Sequence, residues 1–213
     1  MLEFLTLYGS EILIKIGEHV FISLAALGLG ILVAVPLGIL VSVNKSLSNL
    51  IITVASILQT IPSLALLAMF VPLIGIGTVP AVSALFVYSL LPIVRNTILG
   101  MTSVDVNTLD AAKGMGLTRT QIVRQIQLPL ASPIVMAGIR LSGVYVFAWT
   151  TLASYIGAGG LGDFVFTGLN NFDFSMILAG TIPVSILALL FDFIMNFLEI
   201  KLKPQTTSMK EVK

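Results

Sequence analysis

The chain of 213 residues contains no cysteine, one histidine and one tryptophan, and only 10% of its residues are charged. Without cysteine it has no disulfide, no thiolate nucleophile and no Cys-ligated metal. A single histidine, His19, leaves no Ser-His-Asp set, and no cluster of His, Asp or Glu converges to suggest a metal site or a membrane enzyme. No G-x-x-x-x-G-K-[ST] segment occurs, so the chain does not cradle ATP in the usual way. The first residues, "MLEFLTLYGSE", lack the early Lys or Arg of a cleaved signal peptide. Between Ser46 and Val94 there is no charged side chain at all.

What fills the chain instead is apolar: 57% hydrophobic residues and a mean hydropathy of +1.07. Soluble domains carry about 25% charged residues, so this composition places the chain in a membrane. The 49 uncharged residues up to Val94 exceed one crossing, which needs about 20 residues, and so hold at least two. Five spans fit: 20–43, 50–71, 79–94, 134–156 and 176–200, with Pro72, Gly75, Gly77 and Pro80 marking the turn between the second and third. The apolar runs are continuous rather than alternating, which predicts an all-α polytopic protein and not a barrel. Residues 1–19 then form an extracellular N-terminal segment, 20–200 the transmembrane domain, and 201–213 a cytoplasmic tail.

Five spans put the termini on opposite sides. Nine of the eleven basic residues (Lys45, Arg95, Lys113, Arg119, Arg124, Lys201, Lys203, Lys210 and Lys213) share one side; the other has Lys15 with Glu3, Glu11, Glu18, Asp163 and Asp173. The positive-inside rule predicts a cell-membrane protein with its N-terminus outside, its C-terminus inside, and residues 96–131 as a cytoplasmic loop. In the first span Ala26, Gly30, Ala34, Gly38 and Ser42 recur every fourth residue, a face for close helix approach within the chain or between subunits, and Pro36 is expected to bend that helix. His19 is expected at the outer interface.

The loop has structure of its own. Asp105 can cap a helix running to Lys113, the "GMG" of Gly114 to Gly116 breaks it, and Thr118 with Gln121 forms a capping box. A second helix, Arg119 to Gln127, is then expected to end at Pro129. Its stripe of Ile122, Val123 and Ile126 beside Arg119 and Arg124 suits either a knob for a partner or a helix lying at the headgroups.

The spacing Asp110, Ala111–Ala112, Gly116, Ile126, Leu128–Pro129 resembles the loop signature of binding-protein-dependent ABC importer permeases, apart from Asp110 where the family usually has Glu. The segments "QTIPSLALLAMFVPLIGIGTVPAVSALFVYSLLPIVRNT" (59–97) and "TLASYIGAGGLGDFVFTGL" (151–169) resemble the osmoprotectant permeases for glycine betaine, choline and carnitine, although methionine-importer permeases share the Gly-rich core of the second. The resemblance implies a type I ABC importer permease fold. It also implies a loop (Asp110 to Pro129, with Arg119) that docks on a separate ATP-binding subunit, a second permease subunit, identical or homologous, and an extracellular solute-binding protein. No cofactor is expected in this chain, since the partner binds ATP; lipid is the surrounding medium and no nucleic-acid partner is expected. The alternative is the same architecture carrying methionine or another small amino-acid-like solute. A secondary transporter or channel fits less well, because five spans show no inverted repeat.

Residues within the spans bear on the translocation path. The "IGAGGLG" run reads as a tight re-entrant turn or as a gate and docking lip. Tyr145, Trp149 and Tyr155 could present aromatic faces to a cation or belong to the interfacial belt. Thr181, Ser185, Asp192 and Asn196 form a polar stripe on the fifth span. Arg140 and Asp192 lie at matched depths of about 10 Å and are expected to pair, the alternative for Arg140 being to snorkel to the headgroups.

Overall fold

The computed structural model describes residues 2–202, with side chains from Tyr8 onward. Lys203, Lys210 and Lys213 of the expected tail, and the side chain of Glu3, lie outside the described residues. Within them every regular element is helical. The order is α1 (Leu2–Val41), α2 (Lys45–Thr60), α3 (Ser63–Ile74), α4 (Thr78–Thr102), α5 (Val106–Gly114), α6 (Arg119–Ile122), α7 (Leu128–Ala153), α8 (Gly162–Asn171) and α9 (Phe174–Leu202). Four of these stretches are long and apolar enough to cross a membrane, and α2 with α3 makes a fifth if the bent pair counts as one.

Three helices differ in extent or shape from the expected spans. The first is already helical ahead of residue 20: it runs unbroken from Leu2 for 40 residues, about 60 Å, longer than one crossing requires. Its charged Lys15 and Glu18 find partners in Asp163 at the start of α8 and Gly160 in the turn before it. The second span is not one rod: α2 and α3 meet at 91°. Ile61, held extended before Pro62, ends α2, and the proline ring cannot continue its hydrogen-bond ladder. The third is longer than the expected 79–94, since α4 spans 25 residues and retains Pro92 in its interior.

The helix α4 is the centre of the bundle, packed between α1 and α7, with α9 beyond α7. Small residues allow these approaches. A Cβ at Gly138 would stand 2.9 Å from the Pro92 carbonyl oxygen, and one at Gly38 would stand 2.7 Å from Thr97 Cβ. The small-residue stripe of α1 is thus spent inside the chain, against α4. The core has two parts. One, toward the α5–α6 end, gathers Leu27, Ile93, Val94, Val135, Phe147 and Phe191; the other, toward the opposite end, gathers Ile22, Leu66, Leu67, Leu85, Tyr88 and Val146.

Candidate functional site: the knob, the lever and the aromatic face

At one end of the bundle the segment 103–127 folds into a small knob. Asp105 caps α5 by accepting from the Thr108 backbone N–H at 3.3 Å. The helix closes with a Schellman arrangement: Gly116 N–H donates to Lys113 O at 2.9 Å and Leu117 N–H to Ala112 O at 3.2 Å. That closure requires a left-handed residue, and Gly116 has φ +82°. Thr118 and Gln121 form the reciprocal capping box of α6. Asp110 pairs with Lys113 at 2.8 Å on the surface; Ala111, Gly116, Arg119 and Pro129 are exposed, while Ala112 is fully buried and Ile126 and Leu128 are half-buried. Val106 and Met115 are also exposed on this knob, which the spacing alone did not single out.

Pro129 does not end the second loop helix. The residues Val123–Gln127 form a single π turn, closed by Leu128 N–H on Val123 O, and the chain enters α7 without a break. Proline lacks an N–H and its ring crowds the preceding turn, so a widened turn just ahead of it keeps the helix going. Arg119–Ile156 is therefore one 38-residue stretch.

Midway along α7, Arg140 binds α9. Its Nε and Nη2 donate to the two carboxylate oxygens of Asp192 at 2.6 and 2.7 Å, and Nη1 donates to Asn196 Oδ1 at 2.7 Å and to Glu199 at 3.5 Å. The bidentate geometry is the strong form of this pairing. The cluster borders a cleft of about 470 Å³ shared with Asn96, Leu141 and Val144. Thr181 and Ser185 lie exposed farther along α9, the Ser185 hydroxyl turned back to Thr181 O.

Farther along α7, Tyr145 and Trp149 stack with centroids 5.5 Å apart, and Trp149 meets Tyr88 of α4 at 4.6 Å. The Tyr88 hydroxyl donates to the Ile61 carbonyl, the group freed where α2 breaks. Tyr155 is separate: it packs edge-on against Phe166 of α8. Tyr88 escaped the sequence reading, although a lone phenol in a long uncharged run must find an acceptor and so signals a nearby backbone break.

At the opposite end of the bundle, the Gly-rich turn is stitched to α1 and to the turn between α3 and α4. Lys15 bridges Asp163 at 2.7 Å and Glu18 at 3.0 Å, Glu18 accepts from Gly160 N–H at 2.8 Å, and Gly77 N–H donates to Ile156 O at 2.9 Å. Gly157, Gly159 and Gly160 all have positive φ, and a side chain at 159 would strike Glu18. His19 is fully buried against α7, with Nε2–H donating to Phe147 O at 2.9 Å. Beside it Ser23 and Thr150 pair at 2.9 Å, forming a polar seam between α1 and α7.

Residues 26–204 match the family described as binding-protein-dependent transport system inner membrane component. The carnitine transport permease protein OpuCB of Listeria monocytogenes is 51% identical over 92% of this chain and 90% of its own length. The glycine betaine/carnitine/choline transport system permease protein OpuCB of Bacillus subtilis (strain 168) is 49% identical over 100% of this chain and 98% of its own. Among solved structures, an inward-facing MetNI methionine ABC transporter superposes with a TM-score of 0.82 at 20% identity, over 91% of this chain and 96% of that one, a likeness of fold alone.

Proposed function

The chain belongs to the binding-protein-dependent transport system inner membrane components, and on that premise we propose that it is the permease subunit of an ATP-driven importer of quaternary-ammonium osmoprotectants, of the glycine betaine, carnitine and choline class. The observation that carries the substrate class is the near-50% identity, over almost the whole chain, to permeases named for those solutes. Like them it is a multi-pass membrane protein and not an enzyme in its own right. Its work is movement.

In this reading two permease subunits enclose the path, two ATPase subunits bind the knobs, and an external binding protein delivers solute. The knob (Asp110 to Pro129) faces the cytoplasm, as the placement of basic residues supports. The end carrying Lys15, Asp163 and Asp173 faces outward. Closure of the ATPases displaces the knob; because α6 continues through one π turn into α7, that displacement is passed to the helix that carries Arg140, Tyr145 and Trp149. The Arg140–Asp192 pair makes α9 follow α7. ATP then favours one access state only through its tighter binding to that state.

Hydrolysis by the reconstituted complex tests this. With the cognate binding protein, betaine, carnitine or choline should raise ATP turnover and methionine should not. Stimulation by methionine alone would replace the solute class while leaving the architecture intact.

A further inference from the structure

The aromatic face of α7 reaches deeper than an interfacial anchor does. Tyr145 sits eight residues before the end of α7 at Ala153, about 12 Å along the axis, and Tyr88 ten residues from the start of α4, about 15 Å. The hydrocarbon region is about 30 Å thick and belts of Trp and Tyr sit at the headgroups, so Tyr145 and Tyr88 lie deeper than a belt. Trp149, four residues from the end of α7 and about 6 Å along the axis, lies one turn nearer the surface. They are also graded in exposure: Tyr88 is 3% exposed and bound to the Ile61 carbonyl, Trp149 is half-buried, and Tyr145 is 41% exposed. The inner phenol fixes the indole, and the indole fixes the outer phenol, leaving π faces presented from a rigid stack. The surroundings favour a cation. One turn away on the same face, Leu141 borders the cleft of Arg140, where one guanidinium is set against two carboxylates, Asp192 and Glu199. Asp192 and Asn196 occupy that guanidinium, and the formal balance of the cluster is one negative charge in excess.

We propose that Tyr145 and Trp149, braced by Tyr88, form an intramembrane transit site for the quaternary ammonium group, which the rings hold by cation–π attraction. Such a group cannot donate a hydrogen bond, and its attraction to a desolvated ring is worth enough to be read in rates. The site is shallow compared with a cage. It lowers the barrier for passage without trapping the solute. This inference rests on the substrate class proposed above.

The test uses the assembled importer in nanodiscs of phosphatidylethanolamine and phosphatidylglycerol, which carry no choline headgroup. Trp149 is the chain's single tryptophan, so 5-fluorotryptophan labelling gives one permease resonance, assigned by its loss in Trp149→Phe. Choline should shift that resonance, and 3,3-dimethyl-1-butanol, its uncharged isostere, should not. In uptake assays Tyr145→Ala should lower the maximal rate for choline about tenfold, as loss of about 1.4 kcal/mol would. Tyr145→Phe, which keeps the ring, should stay within about twofold, and half-saturation by the loaded binding protein should not change. A resonance unmoved by choline in an importer that does carry choline refutes the site, as does an equal response to the isostere, or Tyr145→Ala uptake at the wild-type rate. A resonance that shifts in an importer carrying no quaternary ammonium solute keeps the site and refutes the transport reading instead.

Discussion

Replacing Arg140 with methionine should harm the protein more than removing its partner does. The guanidinium makes two charge-assisted bonds to Asp192 at 2.6 and 2.7 Å and one to Asn196 at 2.7 Å, with Glu199 at 3.5 Å. Without it two carboxylates face each other at membrane depth with no cation. Stripping one member from a fully buried pair costs about 3–5 kcal/mol. The side chains here are 29% and 35% exposed, which reduces the expected loss to about 2–3 kcal/mol. Asp192→Leu leaves Arg140 with Asn196 and Glu199, and a small rotation of the guanidinium recovers a carboxylate, so about 1–2 kcal/mol is expected. In the double variant the losses should fall short of their sum by about 1–2 kcal/mol. Unfolding of the purified complex in mixed dodecylmaltoside and SDS, followed by circular dichroism, gives all four corners of the cycle. Losses additive within about 0.5 kcal/mol, or an Asp192 loss larger than the Arg140 loss, would refute the reasoning.

Other expectations follow from the same geometry. Gly30→Leu must push Ser89 and Ile93 aside, since its Cβ already lies 3.0 Å from Ser89 Cβ and 3.4 Å from Ile93 Cδ1; a loss of about 1–3 kcal/mol is expected in the same unfolding assay. Gly28→Ala, with nothing within 4 Å of the new methyl, serves as the control and should not destabilise, gaining about 0.5–1 kcal/mol from helix propensity. Glu18→Gln weakens the acceptor for Gly160 N–H, and hydrogen exchange at that amide should quicken while the α4–α7 core is unaffected. Cysteines placed at 163 and 173 should react with an impermeant thiol reagent added outside cells, and one at 119 only after permeabilisation; the reverse pattern would overturn the proposed orientation.

Much of the fold is visible in the sequence because the bilayer leaves few alternatives. Uncharged runs give the spans, and the Thr118/Gln121 capping box and the Asp105 cap are local signals that need no tertiary context. Matching depths brought Arg140 and Asp192 to one level, and the structure joins them. What the sequence hid depends on partners far along the chain. Lys15 and Glu18 read as part of a separate N-terminal segment, yet they belong to α1 and meet Asp163 and Gly160, more than 140 residues away. Nothing local in the sequence shows that His19 is buried against Phe147 O. The bend at Ile61–Pro62 was written in the proline, but a hydrophobic run of that length reads equally well as one rod. At Pro129 the opposite occurred: a stop signal was absorbed by one π turn. Within the candidate path, Tyr145 and Trp149 meet Tyr88 across the α4–α7 contact, whereas Tyr155 turns away to α8.

The central claim is that this chain moves quaternary-ammonium solute because an ATPase drives its knob. ATP-dependent uptake of radiolabelled choline, carnitine or betaine into vesicles bearing the full complex tests it most directly, with wild type and Gly116→Trp side by side. Gly116 has φ +82°, which a tryptophan resists, and its surface is open, so the change deforms the knob and leaves the bundle intact. The account predicts accumulation against the gradient by the wild type, and for the variant normal membrane insertion with uptake near background. Equal uptake by both, or wild-type accumulation of none of the three solutes, would contradict it.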